Sequence, residues 1–84
     1  MHEHERSLQS LAAAPLDAPL RVREIVFDAV RAHCTSSGLH EGVLARRRPS
    51  RGDVVRLDVP ARGEVILERE LARFVAVEVV DERC

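Results

Sequence analysis

The second half of the chain alternates, and that period of two limits what it can fold into. Val55, Leu57 and Val59 are separated by Arg56 and Asp58, which sends one set of side chains to a core and the other to water, as in a half-buried strand. Val75, Val77 and Val79 alternate in the same way with Ala76, Glu78 and Val80. A helix needs apolar residues every three or four positions, so neither segment could bury its apolar set as one. Further strands are expected at Val43–Arg47 and Glu64–Leu67. The breaks between strands have their own chemistry. Arg48-Pro49-Ser50-Arg51-Gly52-Asp53 is a loop in which Pro and Gly supply the turn, Pro60 ends the next strand, and Gly63 turns the chain again. Glu68–Ala72 is too short for a strand or a full helix and fits a single helical turn.

The first half is less regular. Residues 1–10 carry no periodic pattern and read as a tail, so the domain is expected over residues 11–81. Pro15, Asp17 and Pro19 make a turn-rich opening. Leu20–Val26 is a strand with a fault in its alternation: Leu20, Val22 and Val26 share a face with Glu24, and Ile25 lies opposite. A bulge would bring Val22 and Ile25 to the same side. Asp28 suits an N-cap. Phe27, Val30 and Cys34 then recur at helical spacing, and Gly38 supplies a left-handed stop, giving one short helix over about Ala29–Ser36. The expectation is a mainly β domain: a small, partly open barrel of about five strands with one short helix after the first. Curling or closing such short strands hides their edges.

Eighty-four residues make one domain, with net stability on the order of 3–5 kcal/mol. Its two aromatics are Phe27 and Phe74, with no Trp or Tyr, so the core must be Val, Leu, Ile and Ala. The same scarcity argues against an aromatic groove for proline-rich peptides and against a stacking platform for single-stranded nucleic acid. A net charge of −1 with interspersed signs gives no global field toward nucleic acid or an anionic membrane, so no nucleic-acid partner is expected. No stretch approaches the roughly 18 apolar residues of a membrane span, and the polar start lacks a signal-peptide core. The expected location is cytoplasmic, without direct membrane insertion. There, Cys34 and Cys84 are expected as free thiols.

No spacing sets a nucleophile beside a base, and no Gly-rich loop leads from a strand into a helix. The expectation is a protein that is not an enzyme and needs no cofactor. His33, Cys34 and His40 are chemically able to bind zinc or ferrous iron. However, adjacent helical residues point about 100° apart, and Cys34 falls where an inward apolar residue belongs. No metal ligands are assigned. His2 and His4 lie in the polar start with Glu3 and Glu5, and Cys84 is expected as an exposed terminal thiol. Arg46-Arg47-Arg48 with Arg51 is the densest charge feature. On a strand, Arg46 and Arg48 point together and Arg47 opposes them. Such an arm is either solvated, keeping an edge soluble, or a guanidinium surface for an acidic partner.

Taken in order, Leu11, Pro15, Arg21-Val22, Ile25, Arg31 and Gly38-Leu39-His40-Glu41-Gly42, then the Pro49–Asp53 loop, Val54–Val59, Leu67-Glu68-Arg69-Glu70-Leu71-Ala72 and Val75-Ala76-Val77-Glu78, resemble the ferrous-iron transport protein A (FeoA) family over about residues 11–80. The chain departs from that family's pattern at several points. Glu41 stands where Pro usually precedes the second glycine, Asp17 where the opening turn usually carries Gly, Cys34 and Ser37 where the helix carries Leu, and Glu68 where Arg follows Leu. The resemblance implies an SH3-like barrel. It also implies an accessory or regulatory role in ferrous-iron transport, exercised by protein–protein binding to the cytosolic part of a membrane iron transporter that carries a GTP-binding domain. Contact regions on that reading are the arm at Arg46, Arg47, Arg48 and Arg51, and the corner at Leu39, His40 and Glu41. The alternatives are an SH3-like regulatory module of a metal-dependent repressor system, of the DtxR type, or a direct metal-binding protein. No helix-turn-helix is present, so a repressor module could act only in trans or as a fragment. An open barrel edge leaves a homo-oligomer open.

Overall fold

The alternating segments assemble into one antiparallel sheet. The computed structural model describes residues 8–60 and 62–80. In chain order the elements are β1 (Gln9–Ser10), a 3-10 turn (Leu11–Ala13), β2 (Pro19–Ile25), α1 (Asp28–Ser36), β3 (Leu44–Arg48), β4 (Val54–Val59), β5 (Gly63–Glu68), α2 (Arg69–Ala72) and β6 (Val75–Val79). The strands lie in the order β1-β6-β2-β3-β4-β5, with antiparallel pairings throughout. The sheet is open, its edges formed by β1 and β5. It curls enough that residues from both ends, Leu11 beside β1 and Val65 and Leu67 of β5, join one apolar cluster.

Burial follows the alternation. Val55, Leu57 and Val59 of β4 are buried, and Arg56 and Asp58 are exposed. The fault in β2 is a bulge. Its register against β6 shifts between Val22 and Glu24, and the shift brings Leu20, Val22 and Ile25 into the core together. In β6, Val75 and Val77 are buried, whereas Val79 emerges at the strand's end. Among the described residues the core contains no buried polar side chain.

Several boundaries shift by a residue from expectation, β2 and β5 among them, and three differences have a physical reason. Gln9 and Ser10, read as tail, form a sixth strand by pairing with Val77 and Ala76 of β6. Two residues are too few to display a period, and this strand is recruited by the otherwise free edge of β6. The helix begins at Asp28, so Asp28 lies in its first turn rather than at the cap. Phe27 is the N-cap and makes no side-chain cap bond. The Asp28 carboxylate can instead offset the positive end of the helix dipole. Strand β3 starts one residue late, because the Val43 amide donates to His40 O and belongs to the corner. Residues 1–7, with His2 and His4, and Cys84 lie outside the described residues.

Gly38 ends the helix as expected. Its φ is +96°, its amide donates to Thr35 O, and the Leu39 amide donates to Cys34 O. These two bonds form a Schellman motif, which caps the last carbonyls and drops the next apolar residue inward. Leu39 is accordingly fully buried.

Candidate functional site

The arginines of β3 are held by their own chain. Arg47 lies on the core side of β3, with Ala45, as the alternation requires. Its Nη1 donates to Ala12 O and Ala14 O, both at 2.9 Å, and to Leu11 O at 3.5 Å. These are carbonyls of the 3-10 turn and the residue that follows it, which no ladder satisfies. Arg69 Nη1 reaches Ala12 O from α2. Burial, with the neighbouring Arg69 guanidinium adding to it, holds Arg47 below the ordinary arginine pKa, and the Arg47 Nε is buried with no hydrogen-bond partner among the described residues. All three bonds come from one nitrogen, Nη1, whose N–H donors serve carbonyls that converge on it.

On the opposite face of β3, Arg46 and Arg48 point together and both meet Asp17. Arg46 Nη1 donates to Asp17 O at 2.7 Å, and Arg48 Nη1 pairs with Asp17 Oδ1 at 3.0 Å. The Asp17 amide donates to Arg47 O. Asp17 adopts φ +59°, the left-handed region, where most side chains are disfavoured and Asp is tolerated. The arm therefore closes over the opening turn. Arg51, in the loop that follows, is exposed.

The corner has a lock of its own. Glu41 Oε2 accepts from the Ile25 amide at 3.2 Å and from Arg31 Nη1 at 3.0 Å, and Arg31 Nη2 donates to Ile25 O at 2.9 Å. Helix, corner and the end of β2 are tied through these two side chains. The His40 ring is exposed, with its Nδ1 3.1 Å from Glu41 O.

Of the seven contact candidates, Leu39 belongs to the core and Arg47 donates into the 3-10 turn, so neither side chain is offered to a partner. Leu39 is pulled in by the helix-stop motif. Arg47 is turned in by the strand period, with carbonyls to receive it. Arg46, Arg48 and Glu41 are surface groups engaged within the chain, whereas His40 and Arg51 present their side chains to solvent. The sequence reading missed Arg69 and the partnership of Asp17 with the arm. No spacing signals a contact between residues 17 and 48, because the sheet creates it. His33 is exposed while Cys34, next to it, is fully buried. Burial raises the Cys34 thiol pKa, which disfavours the thiolate that would bind a metal. No group of three or more His, Cys, Asp and Glu side chains able to hold a metal ion occurs among the described residues. No helix among them is long and apolar enough to cross a membrane.

No family model matches the sequence, and no curated protein matches it. The architecture is that of a small SH3-like domain, and solved structures share it along nearly the whole chain. The crystal structure of an iron uptake regulatory protein (FeoA) superposes with a TM-score of 0.77 over 88% of this chain and 100% of its own, at 18% identity. The NMR structure of a FeoA-like protein from Clostridium acetobutylicum matches with a TM-score of 0.78 over 96% of this chain and 95% of its own, at 20% identity. The chain has the FeoA fold.

Proposed function

We propose that this protein is a small cytosolic accessory protein of ferrous-iron transport that works by binding the cytosolic part of a membrane iron transporter. The observation that carries this reading is the FeoA fold, matched over 88% of the chain by a structure described as an iron uptake regulatory protein. The resemblance of the Gly38–Gly42 corner and the Leu67–Ala72 turn to the same family adds a sequence-level argument.

The test is calorimetry of the purified protein against the cytosolic part of a ferrous-iron transporter, with and without guanine nucleotide. Saturable binding is expected in at least one nucleotide state. Absence of heat in every state, from a sample whose amide spectrum is that of a folded protein, overturns the proposal.

A further inference from the structure

An open groove of about 610 Å³ runs between the end of α1, the corner, β3 and the turn from β4 to β5. Arg21, His40 and Arg62 supply its polar side, and Leu44, Val59 and Pro60 part of its apolar side. No Asp or Glu lines it, although acidic residues number 14 in the chain. Elsewhere Arg23, Arg31, Arg48 and Arg56 are each paired with a carboxylate. Among the described residues Arg21 bonds through Nη1 to Gly42 O, at 3.2 Å, and neither it nor Arg62 has an ion-pair partner there.

The Arg62 side chain is placed by Gly38. A Cβ at Gly38 would come within 2.3 Å of Arg62 Nε and 2.7 Å of its Cγ. The guanidinium stem thus lies flat on bare backbone at the groove's rim, where any larger residue would lift it. Beside it Leu44 is an exposed aliphatic side chain, at 42%. Cations without a carboxylate partner next to exposed apolar surface select a ligand that has both an acid and aliphatic groups.

We propose that this groove binds a segment of a partner protein in which acidic and aliphatic side chains alternate. The carboxylates meet Arg62 and Arg21, and the aliphatic groups cover Leu44 and Pro60. An open channel of this size fits a few residues of extended chain. The absence of aromatic side chains from its lining removes the stacking that single-stranded nucleic acid would use. The assignment does not depend on which protein carries the segment.

The test uses the full-length, isotope-labelled protein and a capped hexapeptide of alternating leucine and glutamate, followed by amide chemical shifts. Shifts are expected at Gly38–Leu44 and Arg62–Gly63, with affinity falling as salt is raised. The glutamine version of the peptide, and the variant Arg62→Ser with the original peptide, should each bind about tenfold more weakly, equivalent to roughly 1.4 kcal/mol. Arg62 is exposed, so the spectrum of Arg62→Ser away from the groove should be unchanged and will report that the variant is folded. Arg51→Ser should bind as the parent does. Equal binding of the glutamine peptide, shifts that map to Arg46–Arg51 instead, or no shifts up to the peptide's solubility limit overturn the proposal. Inorganic phosphate producing the same shifts more tightly than the peptide also overturns it, because the groove is then a small-anion site.

Discussion

Two groups of arginines in this small domain have opposite fates. Arg46, Arg47 and Arg48 are consecutive and stand out in the sequence, yet they are turned onto the opening segment of their own chain. Arg21 and Arg62 lie 41 positions apart and form no charge cluster in the sequence, yet the fold brings them to one groove without a carboxylate. Charge density along a chain therefore says little about which cations a partner can reach. What decides it is where the remaining acceptors lie. The carbonyls of Ala12, Ala14 and Asp17 converge on β3 because a 3-10 turn and a left-handed turn leave them without ladder partners, and the arm satisfies them. Nothing comparable faces Arg62.

The sharpest way to break the comparison is to remove Arg47. Arg47→Ala strips the donor from Ala14 O and leaves Ala12 O only the longer bond from Arg69, and the loss is expected at about 1–3 kcal/mol. Against a total on the order of 3–5 kcal/mol, urea denaturation should find the variant's midpoint moved to clearly lower urea. Arg47→Lys should recover part of the loss, since an ammonium lacks the planar fork. If Arg47→Ala melts like the parent, the arm is not structural and its inward geometry is incidental. Gly38→Ala comes next. A side chain at φ +96° should cost about 1–2 kcal/mol, and its Cβ should push Arg62 off the rim. Stability measured by denaturation and the amide shift of Arg62 should therefore change together.

The sheet was largely legible because strands announce themselves by alternation. The spacing of Val55, Leu57 and Val59 leads directly to a buried face, and the fault at Ile25 leads to the bulge between Val22 and Glu24. Gly38 also carried its own conformation. Strand β1 was not legible, since two residues have no period and their partner, Val77, is 68 positions away. The site was harder for the same reason. Alternation placed Arg47 opposite Arg46 and Arg48 but could not say that Leu11–Ala14 would lie against it. Glu41 looked like a surface departure from a family pattern, and it proves to be an acceptor for Arg31 and the Ile25 amide. Local chemistry can be read from neighbours in sequence. Acceptors that arrive across a sheet cannot.

Cys34 gives a smaller effect with a definite sign. Its folded-state pKa is raised by burial, so the stabilising contribution is complete below the unfolded thiol value of about 8.5 and is lost as pH rises toward the folded one. In that window the unfolded chain releases the proton first, and alkali favours unfolding. The background is simple, because the chain has no Lys and no Tyr. Thermal melts at stepped pH should show stability falling above about pH 8.5. Cys34→Ala, which keeps Cys84, should be less stable at neutral pH through lost packing but should show a flatter alkaline decline. An equal decline in the variant removes Cys34 as the cause.

The smallest effect should come from Asp17, where two terms oppose each other. Asp17→Gly removes the cost of a left-handed side chain, about 1 kcal/mol, and also removes the Arg48 ion pair, worth about 0.2–1 kcal/mol between exposed groups. The backbone bonds from the Asp17 amide to Arg47 O and from Arg46 to Asp17 O survive the change. The variant should therefore denature within about 0.5 kcal/mol of the parent, as surface changes commonly do. Asp17→Ala loses the pair and keeps the strain, so it should be the less stable of the two by about 1 kcal/mol. If the order is reversed, the left-handed turn is not strained, since both variants lack the ion pair. If both lose well over 1 kcal/mol, the carboxylate holds the arm more strongly than an exposed pair does. Arg48 would then belong with Arg47 as a structural group rather than at the margin of a contact surface.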